Sequence, residues 1–155
     1  MLKNIIDIIE NVKISPDITL ITLYNTDVSN REKIFRKLAE NNINLDIISQ
    51  SPWFGGDITL SFSLSDKDLP KTLEVMADLS FKPEINISSN NLTISFFGSE
   101  IINTPGIAAD IFEGFSQNGI NIVLIATSDI SVSCLIAKSD EVKAMKMLHE
   151  YNFIN

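Results

Sequence analysis

The sequence predicts an α+β protein made of two ferredoxin-like (βαββαβ) halves, each an antiparallel sheet with helices on one face. Two observations support this prediction. One phrase occurs twice in the chain, and each copy is surrounded by apolar segments of strand and helix periodicity in the same order. A chain of 155 residues is long enough for one ordinary domain or for two very small ones.

The repeated phrase reads NNINLDIISQS at residues 41–51 and NGINIVLIATS at residues 118–128. A shift of 77 residues aligns the two copies and also aligns Ile34-Phe35 with Ile111-Phe112. A second block, 57–61 with 129–133, aligns at a shift of 72. The change of shift falls in a loop, where SPWFGGD in the first copy becomes SD in the second. Because polar Asn and Ser positions are also shared, we interpret the repeat as a duplication.

The first copy reads as strand, helix, strand, strand, helix. Apolar spacing predicts its helices at about 30–40 and 67–79, and its strands at 18–24, about 44–50 and 58–64. The last two strands are predicted to be joined by a hairpin loop at Trp53–Gly56.

The second copy repeats this order, with strands LTISFFG, IVLIATS and ISVSCLI and helices at about 105–117 and 140–151. Gly119 stands where a glycine commonly ends a helix. Two further segments, PEINIS at residues 83–88 and IIDIIENVKI near the N-terminus, are predicted as the additional edge strands. Each half thereby obtains four strands and two helices.

Composition excludes several classes of protein. With 45% apolar residues the chain is globular, and its net charge of −8 disfavours nucleic acids and anionic membranes as partners. The single cysteine, Cys134, permits no internal disulfide and fits a small core residue in a reducing compartment. We find no signal peptide and no run of the ~18 apolar residues that a membrane helix needs, so we expect a soluble, cytoplasmic protein.

The segment EIINTPGIAADIF, residues 100–112, carries the most informative short motif. Pro105 suits the first position of a helix and Thr104 suits its N-cap. Gly106 would let a ligand approach the free N–H groups of the first turn, which favour a carboxylate. From the motif alone, a well-formed helix start without any ligand is the more common case.

The first copy departs from this pattern. Its loop, NTDVSNREKIF, is about four residues shorter and lacks both Pro and Gly. Ser29 or Asn30 can cap the helix, but the backbone is less accessible to an anion. Asp27 is the residue of this loop best able to hold an ammonium group, although a solvated turn aspartate is commoner.

The remaining candidates indicate no catalysis. His149 lies near a predicted helix C-terminus without an organised partner, and Asp110 with Glu113 form a solvated helix face. No histidine–cysteine cluster, phosphate-binding loop or nucleophile–base pair is present, so no catalytic residue, metal or cofactor is predicted. Trp53 and Phe54 are either a partner contact, which we favour, or a loop folded onto the sheet. A sensor or assembly module is favoured over an enzyme.

The two copies resemble ACT domains, and their pairing resembles the tandem regulatory region at the C-terminus of aspartokinases. In the second copy the family phrases are Pro105-Gly106-Ile107-Ala108, Ile111-Phe112, Gly119-Ile120-Asn121-Ile122 and Thr127-Ser128-Asp129-Ile130. In the first copy they are ITLITL, IFRKLAENNINLDIISQS, which includes Gln50-Ser51, and DITLSFSL. The resemblance implies that the first ACT domain, 16–82, is inserted in the second, which comprises 1–15 plus 83–155 and is completed by an N-terminal strand.

The resemblance also implies a ligand: a small amino acid, typically lysine or threonine, bound at an interface between ACT domains of a homodimer. An amino acid needs donors for its carboxylate and acceptors for its ammonium group. The ligand-binding residues implied by the matching positions are Asp27, Asn44, Asp46, Gln50, Ser51, Thr104, Gly106, Ile107, Asn121 and Ser128.

Nothing in the chain resembles the kinase domain of aspartokinases. Three interpretations remain open: a free-standing ACT protein, a regulatory subunit that pairs with an aspartokinase catalytic subunit, or a domain of a longer chain. A structural dimerisation or assembly domain without a ligand is the alternative function. An RNA-binding module is disfavoured by the charge and by the lack of an aromatic-basic strand motif.

Overall fold

The computed structural model describes residues 2–155, with side chains from residue 5 onward. The chain divides into two compact units. Unit 1 comprises Met1–Pro16 with Asn91–Asn155, and unit 2 is the continuous segment Asp17–Asn90. The helices of the described residues are α1 Leu2–Ile8, α2 Arg31–Glu40, α3 Leu69–Ala77, α4 Ile107–Gln117 and α5 Glu141–Glu150. The strands are β1 Asn11–Thr26, β2 Ile48–Gln50, β3 Ile58–Ser65, β4 Glu84–Phe97, β5 Ile122–Ser128 and β6 Ser131–Ala137.

Unit 2 is a ferredoxin-like fold with the strand order β2-β3-β1-β4. Strand β3 is central and pairs antiparallel with β1, where Ile21 faces Phe62, and with β2, where Ser49 faces Ser61. Helices α2 and α3 cover one face and contribute Ile34, Leu38, Val75 and Met76 to a core with the apolar residues of β1 and β3. The apolar residues whose spacing predicts these helices and strands are therefore the residues that form this core.

Unit 1 has the same architecture, with the strand order β1-β4-β6-β5. Strand β6 pairs antiparallel with β4, where Cys134 faces Ile94, and with β5, where Cys134 faces Ile125. The core is built around Phe96, whose ring centroid lies 6.2 Å from that of Phe115 and 5.5 Å from that of Phe153. The predicted α+β class, with antiparallel strands and helices, is confirmed.

The N-terminal segment departs from its prediction as a strand. Residues Leu2–Ile8 form helix α1, and β1 begins only at Asn11. Ile5 and Ile9 are buried while Ile6 and Asp7 between them are exposed, which is the spacing of a helix and not of a strand. The Ile9 N–H donates to the Ile5 carbonyl at 2.9 Å, as expected for a helical turn.

Two strands are longer than predicted and one is shorter. The segments predicted at 83–88 and 92–98 join into the single strand β4, and β1 likewise extends to 16 residues. Asp17 and Asn90, at the two positions where the chain passes between units, each have φ of 59°, a conformation that Asp and Asn tolerate better than most residues.

The strand predicted at 44–50 is reduced to β2, at residues 48–50. Its first half does not join the regular ladder, because the N–H of Asp46 donates to the Ser63 carbonyl and the N–H of Ile47 to Ser63 Oγ, both at 3.0 Å. Asn44 and Asp46 therefore lie on a loop. Among the helices of residues 2–155, none is both long and apolar enough to cross a membrane.

Candidate functional site

The start of α4 is built on Gly106. The helix begins at Ile107 and not at Pro105, and Gly106 takes the N-cap position with φ of 96° and ψ of −14°. A Cβ added at Gly106 would meet no atom within 4 Å, so the space beside the first helical N–H groups is open. Those N–H groups have no partner one turn earlier and can receive an anion.

The prediction that Thr104 caps this helix is wrong. Its hydroxyl donates to the Glu100 carbonyl at 2.8 Å, and its N–H donates to the Ile101 carbonyl at 3.3 Å. Residues 100–104 thus form successive tight turns before the helix, and these turns use the hydroxyl that would have capped it. Only the left-handed conformation of Gly106 then redirects the chain into α4.

Ser128 lies at the same end of unit 1 as the start of α4. The N–H of Gly98, in the loop before α4, donates to the Ile130 carbonyl at 3.0 Å, which holds this loop beside the turn after β5. Ser128 Oγ lies 2.8 Å from Ser131 Oγ and accepts the N–H of Ile130 at 3.3 Å. The Ser128 side chain therefore already organises the β5–β6 turn.

Asn121 lies at the opposite end of β5. It follows Gly119, whose φ of 63° ends α4 as predicted. The residue lines an open pocket of about 220 Å³ together with Phe112, Phe115, Ser116, Gly119, Ile120 and Ile122. Since a strand rises about 3.3 Å per residue, the seven residues of β5 place Asn121 roughly 20 Å from Ser128. Within one chain, the structure does not bring Asn121 to Gly106 or Ser128.

Asp27 opens the helical segment of unit 2. It caps a short 3-10 turn, Val28–Asn30, and accepts the N–H of Ser29 at 2.8 Å and its hydroxyl at 2.6 Å. These two hydrogen bonds hold the pKa of Asp27 below its usual value, and the bond from the Ser29 hydroxyl has the larger effect. Asp27 is thus an exposed, ionised carboxylate at the start of the helical segment.

Gln50 is joined to the start of α2 by a contact that the sequence did not reveal. Arg31 Nη1 donates to Gln50 Oε1 at 2.5 Å, which joins the first residue of α2 to the last residue of β2. The next residue, Ser51, exchanges two hydrogen bonds of 2.9 Å with the backbone of Thr59 and so extends the hairpin. A cation at the start of a helix opposes the helix dipole, and this was the only signal by which Arg31 could have been noticed.

Asn44 and Asp46 lie away from this cluster, beyond the start of β2. Both are exposed on the loop that follows α2. The predicted residues of unit 2 therefore divide as those of unit 1 do. Asp27, Gln50 and Ser51 lie where the helical segment starts and β2 ends. Asn44 and Asp46 lie before the start of β2.

Metal-binding and nucleophilic side chains were the other candidates in residues 2–155. No three His, Cys, Asp or Glu side chains of the described part are placed to hold a metal ion. Burial raises the pKa of the Cys134 thiol to about 12, so it is not a nucleophile at neutral pH. The polar groups of the two clusters are backbone N–H groups, amides, carboxylates and one guanidinium, and these can bind small polar groups.

Known proteins share this architecture. Residues 94–151 match the ACT-domain family model. An aspartokinase of Bacillus sp. (strain MGA3) is 33% identical over 149 residues, which cover 92% of this chain and 36% of the relative. The chain therefore spans about a third of the length of the curated relatives it matches.

Two solved structures have the same fold. The regulatory subunit of aspartate kinase from Thermus thermophilus, in its ligand-free form, has a TM-score of 0.83 at 23% identity, over 92% of this chain and 97% of that one. Escherichia coli aspartokinase III, in complex with lysine and aspartate, has a TM-score of 0.72 at 18% identity, over 93% of this chain and 33% of that one.

Proposed function

This chain is an ACT-domain protein that resembles the C-terminal regulatory region of aspartokinases, and on this premise we propose that it binds a free amino acid and acts as a regulatory module. Its 155 residues include no kinase domain. The ligand is lysine or threonine, as the resemblance implies and as the lysine complex of the related fold supports. The protein that it regulates is an aspartokinase catalytic subunit or domain.

The observation that carries this proposal is the division of each ligand set between the two ends of an edge strand. In unit 1, Gly106 and Ser128 lie at one end of β5 and Asn121 at the other. If two copies of the chain pair their β5 strands antiparallel about a two-fold axis, Asn121 of one copy lies beside Gly106 of the other. A homodimer then completes two equivalent sites from halves that one chain keeps apart.

Strand β5 is suited to such pairing. It is an edge strand in the order β1-β4-β6-β5, and its outer apolar residues Val123 and Ile125 are 44% and 43% exposed. An unpaired edge with exposed β-branched residues is a template for another strand. Burial of these side chains in a dimer would remove apolar surface from water.

In unit 1 the ligand carboxylate would bind the N–H groups at the start of α4, next to Gly106 and Ile107. The amide oxygen of Asn121 from the other copy would accept the α-ammonium group. Unit 2 has no glycine at the corresponding helix start, and there the Arg31 guanidinium would donate hydrogen bonds to the ligand carboxylate. Its ammonium group would be accepted by Asp27, or by Asp46 from another copy. The two units therefore bind the same class of ligand by different donors.

Regulation follows if the ligand stabilises one arrangement of the dimer over another. A ligand that contacts residues of both copies binds only the arrangement in which those residues meet. The ligand then shifts that equilibrium by the difference between its affinities for the two states. The partner enzyme would sense the resulting interface.

The proposal is tested by thermal unfolding of the chain with each of the twenty amino acids. Lysine or threonine at about 100 times its dissociation constant should stabilise the native state by about 2.7 kcal/mol. Sedimentation of the same samples should show a dimer. If none of the twenty raises the unfolding temperature, the binding function is rejected.

The alternative function is a structural dimerisation domain without a ligand. It is favoured by one observation: Asp27, Ser51 and Ser128 already use side-chain oxygens in hydrogen bonds within the chain. Under this alternative, Asn121→Ala leaves the sedimentation profile unchanged and no amino acid stabilises either protein. Stabilisation of the parent protein but not of Asn121→Ala would instead support the amino-acid site.

A further inference from the structure

Unit 2 carries an open groove between α2 and the turn that follows α3. Its volume is about 270 Å³, and it is lined by Lys33, Arg36, Lys37 and Glu40 of α2 and by residues 78–81. We call this set the cationic groove. The four α2 residues follow the spacing i, i+3, i+4, i+7, so they form one stripe of the helix. Leu79, which is buried, and the half-buried Phe81 supply an apolar floor.

The charge of this groove is opposite to that of the chain. The protein has a net charge of −8, yet 4 of its 12 Lys and Arg residues lie in the 10 residues of α2. Arg36 forms an ion pair of 2.7 Å with Glu32, on the turn before it. Among the described residues no side chain forms an ion pair with Lys37. The lining also includes the carboxylates of Glu40 and Asp78, so its three cations give it a net charge of +1. Lys37 is the cation most available to an incoming group.

The internal repeat shows that this face is not needed for the fold. At the shift of 77 that superimposes Ile34-Phe35 on Ile111-Phe112, Lys33 falls on Asp110 and Arg36 on Glu113. Lys37 falls on Gly114 and Glu40 on Gln117. The core positions of the two helices are apolar in both copies, whereas two cations of the groove are replaced by acids. The charges of this helix stripe therefore differ between the copies although the packing of the helix core is the same.

The equivalent groove of unit 1 is filled by the chain itself. At the shift of 72, Leu79 falls on Tyr151 and Phe81 on Phe153. The Tyr151 ring lies against Gly114, where an added Cβ would be 3.2 Å from Tyr151 Cε2, and its hydroxyl donates to Gln117 Oε1 at 3.4 Å. A cavity of only about 10 Å³ lies beside this ring, lined by Asp110, Gly114, Tyr151, Phe153 and core side chains. Unit 1 thus shows what an occupant of such a groove looks like: one aromatic side chain from a peptide segment.

We propose that the cationic groove docks an acidic segment of a partner protein through one aromatic side chain. In unit 1 the Tyr151 ring fills its groove, whereas the smaller Leu79 at the equivalent position of unit 2 leaves the groove open. The aromatic ring of the partner would occupy that open space. Arg36 and Lys37 would lie over the ring face, and flanking carboxylates would pair with Lys33 and Lys37. A groove below the roughly 300–1,000 Å³ of sites for drug-sized ligands suits a single anchored side chain. This surface does not depend on amino-acid binding.

The test is an NMR titration of the ¹⁵N-labelled chain with the peptide acetyl-Asp-Glu-Tyr-Glu-Asp-amide up to millimolar concentration. We expect amide shifts confined to residues 33–40 and 78–81, and an affinity that falls as salt rises. The same peptide with Ala in place of Tyr, and one with Lys in place of every acid, should each bind at least about tenfold more weakly. Absence of shifts in these residues, or equal binding of the Ala peptide, would overturn the proposal.

Two variants locate the effect. Leu79→Tyr should fill the groove and abolish the shifts, and Lys37→Glu should weaken binding about tenfold. Lys67→Glu is the matched control, because it makes the same charge change on an exposed lysine of unit 2 outside the groove. If Lys67→Glu weakens binding as much as Lys37→Glu, the attraction is non-specific and the docking site is rejected. The surface variants decide the outcome even if Leu79→Tyr disturbs the core.

Discussion

Arg31 Nη1 donates a hydrogen bond of 2.5 Å to Gln50 Oε1, although the two residues are 19 positions apart. The bond uses the amide oxygen of Gln50 and leaves its NH₂ group as a donor. It also holds the end of β2 beside the start of α2, which follows the short 3-10 turn capped by Asp27. Donor and acceptor groups suited to an amino acid thus occur in the segments that begin α2 and end β2.

Replacement of Gln50 by Ala should therefore weaken the binding of the amino-acid ligand. The loss of one hydrogen bond of about 1–1.5 kcal/mol corresponds to roughly tenfold in the dissociation constant. Titration calorimetry measures the change. Asn86→Ala, an exposed amide on β4 of the same unit, is the control and should bind like the parent protein. Equal affinities of the two variants would remove Gln50 from the site.

The conformation of Gly106 leads to a prediction about stability. With φ of 96°, an alanine there is strained although its Cβ would meet nothing within 4 Å. We expect Gly106→Ala to lower the free energy of unfolding by about 1–2 kcal/mol, measured in urea. Gly56→Ala has equal space and no positive φ, so it should stay within about 1 kcal/mol of the parent. If Gly106→Ala lowers the free energy of unfolding no more than Gly56→Ala does, Gly106 does not have this positive φ in solution.

Gly98 predicts a larger effect from a different cause. A Cβ at this position would lie 2.0 Å from the carbonyl oxygen of Ile8, at the end of α1. Because a backbone oxygen cannot rotate away, Gly98→Ala should lower the free energy of unfolding by more than about 3 kcal/mol or displace α1. Urea unfolding and hydrogen exchange of the α1 amides separate these results. Unchanged stability together with unchanged exchange would contradict the contact.

Cys134 predicts a pH dependence at alkaline pH. Burial raises its pKa from an ordinary value of 9.0 to about 12, so the folded state keeps the thiol protonated where the unfolded state ionises. The stabilisation is fully present below pH 9 and is lost between pH 9 and about 12, at about 1.4 kcal/mol per pH unit. Urea unfolding at pH 8 to 10.5 should show a steeper decline for the parent than for Cys134→Ala. Parallel curves would contradict the prediction.

Most of the fold could be predicted from the sequence because apolar periodicity records which side chains share a core. Ile34 with Leu38 and Ile111 with Phe115 have helical spacing, and both pairs are buried. Helix α1 escaped prediction because the apolar residues of IIDIIENVKI fit either periodicity. Its identity depends on contacts with residues such as Gly98 that are remote in sequence.

The candidate site was less predictable because it depends on hydrogen bonds and not on burial. The sequence indicates Asp27 as a group that could bind an ammonium group, and in the structure its carboxylate accepts two hydrogen bonds from Ser29. Thr104 matches the composition of an N-cap, but the turns before it take its hydroxyl. Arg31 lacks any local pattern that would link it to Gln50, since that contact arises only when α2 and β2 are in place.

The division of the chain into a continuous and a discontinuous unit has a consequence for synthesis on the ribosome. Unit 2 is complete once Asn90 has emerged, whereas unit 1 needs strand residues from both ends of the chain. Since domains generally fold as units while the chain is made, the inserted segment can fold first, and the residues before Asp17 must wait for β4 and β6. The apolar face of α1 and β1 is then exposed while residues 17–137 are translated, a period in which a chaperone can bind it.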